Sequence, residues 1–220
     1  SFGITTNRIS DMTIVIDPGH GYCKSATLFD PGAVGFITEY ESNSGIAREL
    51  ESQLKALGAN VVRIKTDEDF VLTRQRPAYG RAYGGDMYIS IHGNKIQGNP
   101  SVRGTEVYYF TPYSQPLAAA VSSQIADYFT NNVYSDGANK NRGAKWSYYM
   151  MTLEQDFPSI MIEVGFVTNE EDALSMAAPN HQKNIASRIV KGIQSYIGRS
   201  ELSYSSNGAV VADITSLPAL

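Results

Sequence analysis

The sequence predicts an α/β fold: a single layered domain whose largely parallel, mixed sheet is flanked by helices on both faces. Three observations predict it. Short runs rich in β-branched and aromatic residues recur at 12–16, 60–64, 86–94, 104–110 and 159–169. Amphipathic segments at 38–58, 114–130 and 181–197 separate several of them, and strands alternating with helices build parallel sheets. Two of the apolar runs stop abruptly at a histidine next to glycine, His20 and His92. In such folds ligands bind beyond the carboxyl ends of the strands. A chain of 220 residues, 42% of them hydrophobic, is long and apolar enough for one such core.

Each element has a local cause. "MTIVI" (12–16) reads as a buried strand, and it runs into Asp17-Pro18-Gly19-His20-Gly21. Gly19 and Gly21 are expected to leave room beside His20 for a ligand. A glycine-rich loop through "DPGAVGF" follows. Thr38 and Glu41 have capping-box spacing, so a helix is expected from 38, with Ile46, Leu50, Leu54 and Leu57 as its apolar stripe and Gly58 at its end. "NVVRI" (60–64) is the second strand. Residues 67–85 suggest a short helix within a loop. "DMYISIHGN" (86–94) and "GTEVYYF" (104–110) are strands. Leu117, Val121, Ile125 and Phe129 mark a helix over 114–130, and a loop rich in Gly, Asn and Lys is expected over 134–145. "SIMIEVGFVTN" (159–169) is a strand with a glutamate inside it. Ile185, Ile189, Ile193 and Ile197 stripe the last helix. The pattern stops after Arg199. The domain is therefore placed at 11–199, between an N-terminal tail over 1–10 and a C-terminal linker or tail over 200–220.

Composition narrows the function. The net charge is -4 with no basic cluster, which argues against nucleic acid as a partner. No apolar run approaches the ~20 residues of a membrane span. The chain starts at Ser1 without a visible leader and is read as a mature or trimmed fragment. One cysteine, Cys23, excludes an internal disulfide and is read as a structural or exposed thiol.

Four residues form a candidate site. His20 and His92 end strands, Glu39 sits in the first turn of a helix, and Glu163 interrupts the apolar "IMIEVGF" run. A buried carboxylate is costly unless paired or metal-bound. Two histidines and a carboxylate with an open position make a catalytic zinc site, and a further acid nearby could act as general base. Each residue also has a plainer reading. The histidines could be loop residues, Glu39 could favour the helix dipole, and Glu163 could pair with Arg142. Glu41 ranks below Glu39 because the capping box already gives it a role. His181 reads as a surface residue.

Six stretches carry a resemblance: "IVIDPGHG" (14–21), "DPGAVGFITEYESN" (30–43), "ISIHGN" (89–94), "VRGTEVYYF" (102–110), "NRGAK" (141–145) and "PSIMIEVGFVTNEED" (158–172). Together, over roughly 12–198, they resemble the zinc-dependent N-acetylmuramoyl-L-alanine amidases of bacterial cell-wall autolysins. The resemblance implies one zinc ion on His20, Glu39 and His92, with Glu163 as the catalytic glutamate. The sequence departs from the family in Tyr40-Glu41 after the ligand glutamate, often Lys-Asp, and in Gly93 after the second histidine, often Ala. The segment 94–158 is too short for the long inserted regulatory helix of some relatives, so an open groove is expected.

The implied reaction is hydrolysis of the amide joining the lactyl group of N-acetylmuramic acid to L-alanine of the peptidoglycan stem. Asn94, Arg103 and Arg142 are the expected substrate contacts. A monomeric enzyme, extracytoplasmic and either secreted or associated with the cell wall, is expected. Two rivals stand beside it: a zinc peptidase or carboxypeptidase acting on the stem peptide, and a non-catalytic peptidoglycan-binding module. A phage endolysin in place of a cellular autolysin would share the chemistry.

Overall fold

The computed structural model describes residues 6–154, 156–198, 202–204 and 210–212. Its sheet begins at β1 (Thr13–Pro18), whose Ile14, Val15 and Ile16 are fully buried. A strand covered on both faces needs apolar side chains in both directions, which is why this run does not alternate. β2 (Asn60–Arg63) and β3 (Met87–Asn94) pair with β1 in parallel. β6 (Ser159–Phe166) continues parallel to β3. β4 (Thr105–Tyr109) is antiparallel to β6, and β5 (Asn141–Trp146) lies parallel to β4 at the edge. The order is β2-β1-β3-β6-β4-β5, a mixed and largely parallel sheet as expected.

α1 (Glu39–Ala56), α3 (Gln115–Asn132) and α5 (Pro179–Ile197) build one layer over the first face of the sheet. They bury Ile46, Leu50, Val121, Ile125, Ile185, Ile189 and Ile193 against Ile14, Ile16, Ile89 and Ile162. Thr38 caps α1 by accepting the Glu41 backbone N–H at 3.3 Å. Leu57 departs from the expected stripe: it is the C-cap residue, 43% exposed, and Ala47 is buried in the helix face instead. Gly58 follows with φ +89°, the left-handed turn that ends a helix.

The second face is covered by α2 (Arg76–Ala82) and the turn at Met150–Thr152, with Val15, Tyr88, Met151 and Phe157 between them. Helices thus lie on both faces. Because side chains alternate, His92, Glu163, Glu106 and Tyr108 share this second face with Asp17 and Met161.

Three elements differ from expectation. Part of the predicted loop 134–145 is the edge strand β5, a polar run held by backbone pairing on one side only. α4 (Glu170–Ala177) precedes α5 and is capped by the Asn169 side chain accepting from the Asp172 N–H. Within the predicted tail, Ile9 is buried in the core, while residues 1–5 lie outside the described residues. Most of 200–220 also lies outside them. The exceptions, β7 (Leu202–Tyr204) and β8 (Val210–Ala212), pair antiparallel as a separate two-stranded sheet.

Candidate metal centre

His20, Glu39 and His92 converge, with one ligand atom from each lying within 4.8 Å of the others. Glu39 Oε1 stands 3.0 Å from His20 Nε2 and 2.9 Å from His92 Nδ1. Its other oxygen accepts the Ala33 N–H at 2.8 Å, and the Gly93 N–H also reaches Oε1. Glu39 is buried, so a carboxylate that small-loop amides hold in place faces two imidazoles away from bulk water. Burial opposes the charge on Glu39, but the two imidazoles outweigh it and hold the carboxyl far below its ordinary range.

His20 is held in an unusual way. It is the one non-glycine residue with positive φ, +69°, among the described residues. Such a backbone persists only when its surroundings enforce it. The enforcing group is Arg76, fully buried on α2. Its Nη2 donates to the His20 carbonyl at 2.7 Å, and its Nη1 donates to Asp17 Oδ1 at 2.8 Å and to the Pro18 carbonyl at 2.9 Å. Tyr88 donates to the other Asp17 oxygen at 2.6 Å. On the ring side, His20 Nδ1 lies 3.4 Å from Asp30, a carboxylate behind an imidazole that orients it. Burial would push the His20 imidazole down, yet Glu39 and Asp30 together hold it above its ordinary value. Asp30 resists burial through Lys24, the Gly32 N–H and His20, and its carboxyl falls to about 2.

The glycines serve a different purpose from the one expected. A side chain at Gly19 would strike the His92 ring, and one at Gly21 would strike Lys65 and Tyr40. Gly19 therefore makes room for the second histidine, and Gly21 for the packing behind the loop.

Glu163 and His92 are register partners on β6 and β3 and line the same cleft, about 300 Å³ in volume, with Thr73, Met161 and residues 149–151 as its walls. Burial, then the negative charges of Glu39 and Glu106, push the Glu163 carboxyl well above its ordinary range. Its Oε2 is buried without a hydrogen-bond partner, and so is His92 Nε2. Buried orphan atoms are rare and call for a ligand. Two imidazoles and a carboxylate are a donor set suited to zinc, so these residues fit that ion.

Glu106 stands directly across from Glu163 on β4. Four donors occupy it: Asn94 Nδ2 at 2.7 Å, Tyr108 OH at 2.7 Å, Arg142 Nε at 2.8 Å and Lys145 Nζ at 2.5 Å. Burial raises its carboxyl, but Lys145, Arg142 and Tyr108 outweigh that and lower it. In this network Arg142 pairs with Glu106 and not with Glu163, the plainer reading of that glutamate, and Asn94 donates to the same carboxylate. Arg103 is bound to Glu171 and Asp136 and stacks on Tyr134. Cys23 is buried beside Asp30, and His181 is half-buried and paired with Tyr128. Sequence reasoning missed Asp30, Arg76 and Glu106. Glu106 carried the same signal as Glu163, a charge inside an apolar strand, and Asp30 repeats the Asp-Pro-Gly of residues 17–19.

Residues 14–195 match the family described as N-acetylmuramoyl-L-alanine amidase. The chain is 34% identical over 194 residues to the uncharacterized protein YqiI of Bacillus subtilis (strain 168), covering 86% of each. It is 30% identical over 191 residues to the N-acetylmuramoyl-L-alanine amidase LytC of the same organism, covering 86% of this chain and 36% of that one. Among solved structures, the N-acetylmuramoyl-L-alanine amidase AmiC2 of Nostoc punctiforme superposes with a TM-score of 0.74 at 29% identity, covering 86% of this chain and 98% of that one.

Proposed function

The chain belongs to the N-acetylmuramoyl-L-alanine amidase family, and on that premise we propose that it is a zinc-dependent hydrolase of peptidoglycan acting outside the cytoplasm. The bond cut is the amide between the lactyl carbonyl of N-acetylmuramic acid and the nitrogen of L-alanine. The observation that carries this reading is the convergence of His20, Glu39 and His92 beside a glutamate whose Oε2 has no partner.

His20, Glu39 and His92 would hold one zinc ion. Bound there, the ion supplies Lewis acidity, which lowers the pKa of water and polarises a carbonyl. Glu163 takes the proton of the attacking water at its free carboxylate oxygen. It then returns the proton to the alanine nitrogen as that amine leaves. Its raised proton affinity suits both halves of this task, because a strongly acidic carboxyl would take the proton poorly. Asp30 and Arg76 keep His20 aimed, and Glu39 is itself fixed by the Ala33 and Gly93 amides. Of the expected substrate contacts, Arg142 keeps that role in this reading. Its side chain is 36% exposed at the rim, where it can reach a stem-peptide carboxylate without leaving Glu106.

Digestion of purified peptidoglycan, read by mass spectrometry, tests the proposal. Free stem peptides beginning at L-alanine beside intact glycan are expected, abolished by a chelator and restored by zinc. Shortened stems still attached to sugar would mean a peptidase, and no cleavage by zinc-loaded protein would leave a binding module.

A further inference from the structure

α3 covers the first face of β4 and β5, and exposed aromatic rings gather around the carboxyl ends of these two strands. Phe110, Trp146 and Tyr148 form one cluster, with ring centroids 4.8–6.0 Å apart. Trp146 is 46% exposed and Tyr148 68%. The indole is nevertheless fixed, since its N–H donates to the Phe110 carbonyl at 3.1 Å. A second pair, Tyr108 and Tyr149, packs edge to face at 4.8 Å, and Tyr149 is itself a wall of the cleft that holds Glu163. Tyr148 and Tyr149 are neighbours in the chain, so the cluster at the strand ends adjoins the wall of the cleft. Phe110, just past the end of β4, lies four residues from Glu106, about 13 Å at ~3.3 Å per residue.

An apolar patch left open on a folded domain marks an interaction surface. We propose that this aromatic patch binds the glycan strand of the substrate, a polymer of N-acetylated pyranoses, along the sugars next to the one whose stem is cut. The inference rests on the amidase reading and extends it. The lactyl group is an ether on the sugar ring, so a carbonyl held beside Glu163 brings its own pyranose to the mouth of the cleft, where Tyr149 stands. The neighbouring sugars must then run across the adjacent surface. Pyranoses present flat C–H faces that stack on aromatic rings, and rings with a polar edge suit a ligand that is apolar on its faces and hydroxylated at its rim. The stem peptide, rich in carboxylates, would call for cations, and the ring cluster itself has none.

Trp146 is the only tryptophan in the chain, so intrinsic tryptophan emission reports on this patch. The experiment titrates the zinc-loaded protein with peptide-free oligosaccharides of alternating N-acetylglucosamine and N-acetylmuramic acid. In parallel, it measures cleavage of a single N-acetylmuramoyl-peptide and of long-chain peptidoglycan. A saturable emission change that tightens with chain length is expected. Tyr148→Ala should weaken it about tenfold and raise KM on long chains by a similar factor, with turnover of the single-sugar substrate unchanged. No response to the oligosaccharides, in a protein that still cuts the short substrate, would overturn the proposal and leave the amidase reading intact. Glycan binding without any cleavage would support the patch and overturn the amidase reading. An emission change caused only by phospholipid vesicles or by raising the protein concentration would also overturn the proposal.

Discussion

On one side of β6, β3 sets His92 beside Glu163; on the other, β4 sets Glu106 opposite the same residue. Both neighbours are polar and buried, yet the two sides are finished differently. Glu106 has four donors, two of them cations supplied by β5, and its carboxyl is held low. Glu163 has an unpartnered oxygen and its carboxyl is pushed up. The cluster of His20, Glu39 and His92 contains no lysine or arginine. One buried glutamate is fully neutralised and its neighbour is left open, which is the contrast the proposed mechanism needs between a structural carboxylate and a reactive one. The open side is where added charge and a moving proton belong.

The largest effect should come from Glu163→Gln. The amide keeps the shape and removes the proton acceptor, so turnover should fall by about 10²–10⁴-fold, the usual worth of a general base. Zinc content, measured by elemental analysis of the same preparation, should stay at the wild-type level. Loss of the metal along with activity would place Glu163 among the ligands and erase the contrast with Glu39.

Next comes the buried frame behind His20. Arg76→Met leaves Asp17 without its ion-pair partner in the interior, which typically costs about 3–5 kcal/mol. Thermal unfolding should shift down accordingly. The variant should also bind zinc more weakly in a chelator competition, because the His20 carbonyl loses its anchor. Adding Asp17→Asn should recover part of the stability, since the two residues act as a unit. Stability that stays at the wild-type value in Arg76→Met would show that the ion pair contributes nothing net.

The same contrast explains what could be read in the sequence. The strands around His20, His92 and Glu163 are central, so burial on both faces writes them as apolar runs, and any polar residue inside them stands out. His20, His92 and Glu163 were legible as candidates for that reason, and Glu39 from its place in the first turn of α1. β5 is an edge strand made of Asn-Arg-Gly-Ala-Lys-Trp, with no alternation to betray it. Pairing with β4 is what makes it a strand, and that depends on tertiary contacts. Arg76 was invisible because its partner Asp17 is 59 residues away. Glu106 was legible in kind but not in role. Its partners arrive only once β4 has turned antiparallel and β5 has paired beside it.

Glu106→Gln gives the smallest expected effect and the sharpest probe of how the two sides of β6 communicate. In the proposed mechanism Glu163 acts as a base only when deprotonated, so the acid limb of the rate profile should follow its pKa. Burial contributes most to raising that pKa, and the negative charges of Glu39 and Glu106 add to it. The variant removes one of those charges and leaves Arg142 and Lys145 without their carboxylate. Both changes favour the ionised form of Glu163, so the acid limb should move to lower pH by less than about one unit, or about 1.4 kcal/mol. Stability should change in a way that checks the same geometry. A carboxyl whose folded pKa is lowered stabilises the protein above its unfolded pKa, and that contribution is lost as pH falls through the folded value. The melting curves of wild type and variant should therefore differ near neutrality and converge in acid. An acid limb that moves upward, or stays in place while the stabilities converge as expected, would mean that the Arg142 and Lys145 charges are screened from Glu163 and that the two sides of β6 act independently.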